Sequence, residues 1–132
     1  SQKNGTIFSI ADWCDDATVK SNPYGLAKAG AEKVMRQWVE SQDGDSKPRL
    51  ITIHPSIVFG PILSARHKEG SMSYLQHFYS GSPFVLKINI NFVDVRDVAK
   101  AHVSALTNGR DGERYLLHKR GMWMHEIGAE LC

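Results

Sequence analysis

A chain of 132 residues fits one globular domain, which buries roughly two-thirds of the surface that its unfolded form exposes. Its composition, 42% hydrophobic and 23% charged, excludes a disordered or collagen-like protein. A net charge of +2 is too small to indicate nucleic acid or an anionic membrane as a partner. No apolar run approaches the roughly 18 residues that a transmembrane helix needs.

Strand and helix signals alternate along the chain, which predicts the α/β class with a mainly parallel sheet. Ser21-Asn22-Pro23 marks a helix start, because a capping residue precedes a proline. Asp94, with Asp97 three residues later, predicts the cap of another helix. The predicted elements, in chain order, are a helix from Tyr24 to about Ser41, a buried strand over 49–54, an extended segment over 57–59, a loop over 62–70, a helix from Ser71 or Ser73 to Gly81, a half-exposed strand over 84–90, a helix over 95–108, a strand over 114–117 and a helix over 123–131.

The two cysteines, Cys14 and Cys132, lie at opposite ends of the chain. They form no Cys-x-x-Cys motif and no Cys/His pair at zinc-finger spacing, so we expect no metal site. Free thiols and the lack of a signal peptide over 1–10 are typical of a reducing compartment, and we expect the cytoplasm. The first residue is Ser rather than Met, so we interpret the chain as a piece of a longer protein.

Tyr24 and Lys28 are the first candidates for chemistry. Residues four apart on a helix lie about 40° apart around its axis, so the phenol and the ammonium project side by side. A phenol placed beside a fixed cation is suited to general acid/base catalysis. By itself the Tyr-x-x-x-Lys pattern is weak, because any tyrosine and lysine on a helix can fall at this spacing.

Four blocks of sequence resemble the extended short-chain dehydrogenase/reductase superfamily, with the closest likeness to its dihydroflavonol reductase / cinnamoyl-CoA reductase branch. The blocks are Asn22–Lys28 continuing through Ala31-Glu32-Lys33, His54–Pro61, Asn91–Ala99, and Gly112–Leu117. They occur in the family's order and at plausible spacing, and together they span 22–117. Their ordered concurrence is more specific than any single block.

The resemblance implies the C-terminal half of a doubly wound Rossmann-type parallel sheet with part of a small substrate-binding lobe. We expect one partial domain over 1–132, with 1–61 and 91–108 in the Rossmann-type portion and 62–90 and 109–132 mainly in the lobe. The glycine-rich turn that binds pyrophosphate does not occur in this chain, nor does the family's Ser/Thr upstream of the tyrosine. We therefore interpret the N-terminal dinucleotide-binding half as missing and expect the isolated chain to be inactive.

The resemblance also implies the reaction, an NAD(P)H-dependent reduction of a ketone, aldehyde or acyl-CoA. Tyr24 would donate the proton to the carbonyl oxygen, and Lys28 would lower the pKa of Tyr24 and hydrogen-bond the nicotinamide ribose. Pro55 and Val58 would line the nicotinamide pocket, and Ser73 would contact the cofactor. NADP is the expected cofactor, with NAD left open, and a small carbonyl compound is the expected partner.

Two other functions stay open at this point. One is a nucleotide-sugar epimerase or dehydratase of the same superfamily, a branch that tends to have Asn where this chain has Ser56. The other is a non-catalytic protein that keeps the fold to sense NAD(P). The presence of both Tyr24 and Lys28 argues against the second.

Overall fold

The computed structural model describes residues 7–45, 47–80 and 84–131, and the alternation of helices and strands confirms the α/β class. The elements are α1 (Pro23–Glu40), β1 (Thr52–Pro55), β2 (Ile57–Phe59), α2 (Ser73–Tyr79), β3 (Asn89–Asp94), α3 (Val95–Asn108), β4 (Arg114–Leu117), β5 (Arg120–Trp123) and α4 (Met124–Leu131). Two 3-10 turns, Ala65–Lys68 and Gly70–Met72, precede α2.

Helix α1 begins where the sequence predicts it. Asn22 is the N-cap residue, and its Oδ1 accepts a hydrogen bond from Gly25 N at 2.9 Å. Pro23 occupies the first helical position, where its missing N–H leaves no donor unpaired. The helix ends at Glu40, and Ser41 N closes it with a hydrogen bond to Gln37 O.

Helix α3 also has the predicted cap. The Asp94 carboxylate accepts a hydrogen bond from Arg96 N at 2.7 Å, which satisfies one of the free N–H groups of the first turn. Asp97 lies in that turn and pairs with Lys100 at 3.7 Å. The cap ties the end of β3 directly to the start of α3.

Strand β1 pairs with β4. Thr52 N donates to Glu113 O at 3.1 Å, and Ser56 N donates to Leu117 O at 2.9 Å. Because both bonds advance in the same direction along the two strands, the pair is parallel. The strand predicted over 49–54 is therefore present, but it is shorter and begins at Thr52.

Strands β2, β3 and β5 form a second sheet, in that order. β2 and β3 are parallel, with Val58 opposite Val93. β3 and β5 are antiparallel, with Ile90 opposite Met122. Strand β5, which the sequence did not predict, lies next to β3 at one end of this strand order. It includes Trp123, so the last helix, predicted over 123–131, begins at Met124 instead.

The strand predicted over 84–90 is wrong, because the paired strand is β3 at Asn89–Asp94. Phe84 and Leu86 are 78% and 61% exposed, so the apolar side chains before β3 cover no core. Local alternation suggested a strand there, but pairing with β2 and β5 sets the actual register. The predicted end of α2 at Gly81 lies outside the described residues.

The chain divides into two compact units, Ser1–Ile53 with Asn108–Leu116, and His54–Thr107 with Leu117–Cys132. In the second unit, the buried residues Ile90, Met122 and Ile127 form a core. The partly buried apolar residues packed on that core are Ile57, Phe59, Leu75, Phe78 and Phe92. The division predicted from the sequence, into a Rossmann-type portion and a substrate lobe, stays a prediction.

Candidate functional site

Tyr24 and Lys28 are neighbours on the first two turns of α1. Lys28 Nζ lies over the tyrosine ring, 5.5 Å from its centroid. Tyr24 is 73% exposed, so its phenol is open to a ligand. The structure thus brings together the two side chains that the sequence places one helical turn apart.

The turn that carries Tyr24 is tightly built around Gly25. The N-cap Asn22 donates from Nδ2 to Cys14 Sγ at 3.6 Å while its Oδ1 accepts from Gly25 N. A Cβ at Gly25 would lie 2.5 Å from Asn22 Nδ2 and 3.0 Å from Cys14 Sγ. Glycine is therefore required beside Tyr24, because any side chain would displace the cap.

An apolar cleft of about 250 Å³ opens at the end of β2. Its lining residues are Val58, Phe59, Gly60, Pro61, Leu63, Glu69, Ser71, Met72 and Val95. Gly60 is needed there, because a Cβ would lie 2.3 Å from Val95 Cγ1. Val58 lines this cleft, and the polar lining residues among those described are Glu69 and Ser71. The predicted role of Val58 in the nicotinamide pocket stays a prediction.

Pro55 and Ser56 link β1 to β2. Pro55 is the exposed last residue of β1, and it has no N–H to donate. The hydroxyl oxygen of Ser56 is buried, and the described residues give it no hydrogen-bond partner. A buried hydroxyl left without a partner costs roughly 1–3 kcal/mol, so this group favours a polar ligand at the β1–β2 junction.

Ser73, the remaining predicted cofactor contact, is the first residue of α2. Its hydroxyl donates to Gly70 O at 2.6 Å. Its neighbours Ser71 and Met72 line the cleft, while Ser73 stabilises the turn before the helix. Its contact with a cofactor stays a prediction.

A second cavity, of about 450 Å³, lies at the carboxyl ends of the parallel strands β2 and β3, where ligands bind in open α/β sheets. Its lining residues are Phe59, Gly60, Phe92, Val93, Asp94, Asp97 and Lys119. The guanidinium of Arg96, with Nε 2.8 Å from the Asp94 carboxylate, holds the pKa of Asp94 well below its usual range. Asp94 is therefore an ionised cap residue rather than a proton donor.

Other kinds of site find little support in the described part of the chain. No three or more His, Cys, Asp or Glu side chains gather there as a metal site. None of the helices in those residues is both long and apolar enough to cross a bilayer. The predicted cytoplasmic location stays a prediction.

Two features of the site were not found by sequence reasoning. The buried hydroxyl of Ser56 depends on burial, which no local pattern reports. The contact of Cys14 with the α1 cap joins residues eight apart through a loop. For the Cys14 contact, the sequence offered one signal, the glycine that follows Tyr24. The structure explains that glycine, because a Cβ there would collide with Asn22 and Cys14.

The comparison with protein families agrees with this geometry. The model of the NAD dependent epimerase/dehydratase family matches residues 7–117. A cinnamoyl-CoA reductase of Medicago truncatula is 30% identical over 123 residues, which are 92% of this chain and 35% of that protein. The chain thus spans little more than a third of the reductase that it matches.

Solved structures share the fold. Gre2 of Candida albicans in complex with NADPH superposes with a TM-score of 0.70 and 29% identity, over 86% of this chain and 35% of that chain. A nucleoside-diphosphate-sugar epimerase of Pseudomonas aeruginosa gives a TM-score of 0.75 at 20% identity, over 98% of this chain and 42% of that one. The epimerase likeness shows the Rossmann-type fold alone.

The resemblance drawn from the four sequence blocks is confirmed, and so is the fold of a partial Rossmann-type domain. The family match runs from the segment before α1 to the end of β4. The chain therefore belongs to the NAD dependent epimerase/dehydratase family, in the dihydroflavonol reductase / cinnamoyl-CoA reductase-like branch of the extended short-chain dehydrogenase/reductase superfamily.

Proposed function

We propose that the complete protein carrying this chain reduces a small carbonyl compound with NADP(H), and that Tyr24 and Lys28 are its acid/base pair. The observation that carries the proposal is the placement of Lys28 Nζ over the exposed Tyr24 ring. The matched reductases support the cofactor, since one is an NADPH complex. NAD remains the alternative cofactor.

Each compact unit, taken by itself, offers groups that suit such a cofactor. In the first unit, Tyr24 and Lys28 offer a hydroxyl and an ammonium to the nicotinamide ribose. In the second unit, Ser56 offers a hydroxyl for which the described residues give no hydrogen-bond partner. Val58 lines an apolar cleft suited to a flat ring. Pyrophosphate binding would require the glycine turn that this chain lacks.

The cofactor, when bound, supplies the hydride. Tyr24 then donates its phenolic proton to the carbonyl oxygen as negative charge develops there. The Lys28 ammonium stabilises the phenolate that remains, because opposite charges attract, and the attraction grows once bound substrate and cofactor exclude water from the exposed tyrosine. In the oxidation direction the phenolate takes the proton of the alcohol instead.

The cleft beside β2 favours substrates with an apolar group. Val58, Pro61 and Met72 offer an apolar wall, and among the described residues of the lining Glu69 is the charged one. We therefore expect neutral ketones, aldehydes or acyl thioesters to be preferred over carbonyl compounds that bring a carboxylate into the cleft.

Substitution of Tyr24 by Phe in the complete protein tests the assignment. The variant keeps the ring beside Lys28 but has no proton to transfer, so kcat should fall about 10²- to 10⁴-fold. The Kd for NADPH should stay within about threefold, measured by fluorescence titration. Retention of the parental kcat in Y24F would remove Tyr24 from the mechanism.

Sugar-nucleotide chemistry is the second candidate, because the family model includes epimerases and dehydratases. The same tyrosine would act as the base on a sugar hydroxyl. Turnover of a nucleotide sugar without net consumption of NADPH, and no turnover of carbonyl compounds, would favour that function over the reductase.

A further inference from the structure

Helix α1 carries a polar ladder beyond the proposed pair. Tyr24, Lys28, Glu32 and Arg36 follow one another at intervals of four, so each lies one turn after the last. The side chain of Glu32 is 8% exposed, so its carboxylate, one turn from the exposed Lys28, is largely withdrawn from water. Buried carboxylates require partners, because an unpaired charge away from water is very costly.

Two arginines and a threonine hold Glu32. Arg36 donates to Glu32 Oε1 from Nε at 3.0 Å and from Nη2 at 2.8 Å. Arg114, on β4, donates from Nε to Oε1 at 3.0 Å and from Nη2 to Oε2 at 3.2 Å. Thr52 Oγ1, on β1, donates to Oε1 at 3.2 Å. Helix α1 is thereby tied to both strands of the first sheet.

Arg114 is itself fixed from the other side. Its Nη1 donates to Ile10 O at 2.5 Å and to Asp12 O at 3.0 Å. Its guanidinium stacks on the Trp13 ring, 4.2 Å from the centroid, and its side chain is only 14% exposed. With five N–H donors in a rigid fork, an arginine held this way has little freedom to leave Glu32.

This arrangement affects Lys28, because lysine and glutamate four apart on a helix form ion pairs. Arg114 Nη2 donates to Glu32 Oε2, whereas Arg36 and Thr52 donate to Oε1. Without Arg114, that Oε2 atom would attract the Lys28 ammonium even with Arg36 in place. In the structure two guanidinium groups face that carboxylate, and Lys28 Nζ lies toward Tyr24 instead.

We infer that Arg114 is a positioning residue for the proposed reaction: it engages Glu32 and so leaves Lys28 with Tyr24. The inference rests on the proposed function. Arg114 touches neither member of the pair and acts through Glu32. The alternative role for the cluster is structural, as a link between α1 and β4 alone. The two roles predict different effects of adding Glu32→Gln to Arg114→Met.

The test uses the complete protein with Arg114→Met, Glu32→Gln and the double variant. Arg114→Met should lower kcat about 10- to 100-fold, while KM for the carbonyl compound stays within about twofold. Glu32→Gln should cost less than Arg114→Met, and the double variant should recover most of the lost kcat, because a neutral amide does not compete for Lys28. Lys33→Met is the matched control, since Lys33 also lies over Trp13 and pairs with Asp15 but does not contact Glu32.

Several results would overturn the inference. A purely structural tie predicts that rescue by Glu32→Gln appears in the melting temperature and not in kcat of the folded enzyme. An unchanged kcat in Arg114→Met would also overturn the inference. If Arg114→Met does not fold, Arg36→Met removes the other arginine partner of Glu32. The measurement is then whether adding Glu32→Gln to Arg36→Met restores kcat. Failure of the proposed function would show differently, as full activity of Y24F or no carbonyl reduction by the parent.

Discussion

Helix α1 and the segment over 62–88 offer opposite settings for function. The side chains of α1 are anchored by the Asn22 cap and by the Glu32 cluster. The segment exposes Leu63, Phe84 and Leu86, and its residues Leu63, Glu69, Ser71 and Met72 form part of the lining of the cleft beside β2. Under the proposed function, acid/base chemistry belongs to the anchored helix because it requires fixed geometry, whereas substrate choice tolerates variation and belongs to the exposed segment.

The largest expected effect comes from removing the positive charge of Lys28 on α1. Lys28→Met in the complete protein should lower kcat about 10²-fold or more, because the phenolate of Tyr24 loses its stabilising charge. The Kd for NADPH should rise as well, since the ribose loses a hydrogen-bond donor. Steady-state kinetics and NADPH titration measure both effects, with Lys47→Met as an exposed-lysine control.

Gly25→Ala probes how tightly the same turn is built. The new methyl group would lie against the Asn22 amide and Cys14 Sγ, so we expect a loss of about 2 kcal/mol in the free energy of unfolding. Gly30→Ala is the control, because nothing lies within 4 Å of its Cβ position. That variant should be neutral or slightly more stable, as alanine favours helix. Equal urea midpoints for the two variants would contradict the crowding at Gly25.

The two helices have caps of different charge, the neutral amide of Asn22 on α1 and the carboxylate of Asp94 on α3. Asn22→Ala should cost about 1 kcal/mol at any pH between about 3 and 7, because an amide does not titrate in that range.

Asp94→Asn should behave differently from Asn22→Ala. The folded-state pKa of Asp94 lies below its unfolded value, so its ionisation stabilises the fold above about pH 4. Below that pH the unfolded chain takes up the proton first, and the advantage of Asp94 over Asn declines. Denaturant titrations over a pH series should show the gap between parent and Asp94→Asn narrowing toward low pH. A gap that widens in acid would contradict the assigned ion pair with Arg96.

The smallest effect is expected in the exposed segment. Leu86→Ser replaces a side chain that covers no core, so the free energy of unfolding should change by less than about 0.5 kcal/mol. Ile90→Ser in β3 is the contrasting variant, because Ile90 is a buried core residue. A large loss in Leu86→Ser would mean that the segment packs against a part of the protein outside this chain.

Local signals in the sequence predicted α1, α3 and their caps correctly. Capping and helix propensity act between residues at most four apart, so a single sequence contains them. The Tyr24–Lys28 neighbourhood follows from the same short-range geometry. The assigned roles of Pro55, Val58 and Ser73 came from family resemblance and stay predictions.

Long-range features could not be predicted in this way. β3 and β5 depend on pairing between segments about thirty residues apart, and their register was misjudged or missed. The Glu32–Arg114 contact joins residues 82 positions apart. Such contacts depend on how the chain folds back on itself, which local periodicity does not contain.

The stacking of Arg114 on Trp13 has an optical consequence. The chain has three tryptophans, and Trp38 and Trp123 are both exposed. The indole of Trp13 lies against the Arg114 guanidinium, and Lys33 Nζ lies 5.5 Å from the centroid of the same ring. The emission wavelength of Trp13 and its quenching by iodide should therefore change when α1 loses its contacts with Trp13 and Arg114. No attached dye is needed for this measurement. Trp13 is thus an intrinsic fluorescent probe for the packing of α1, the helix that bears Tyr24.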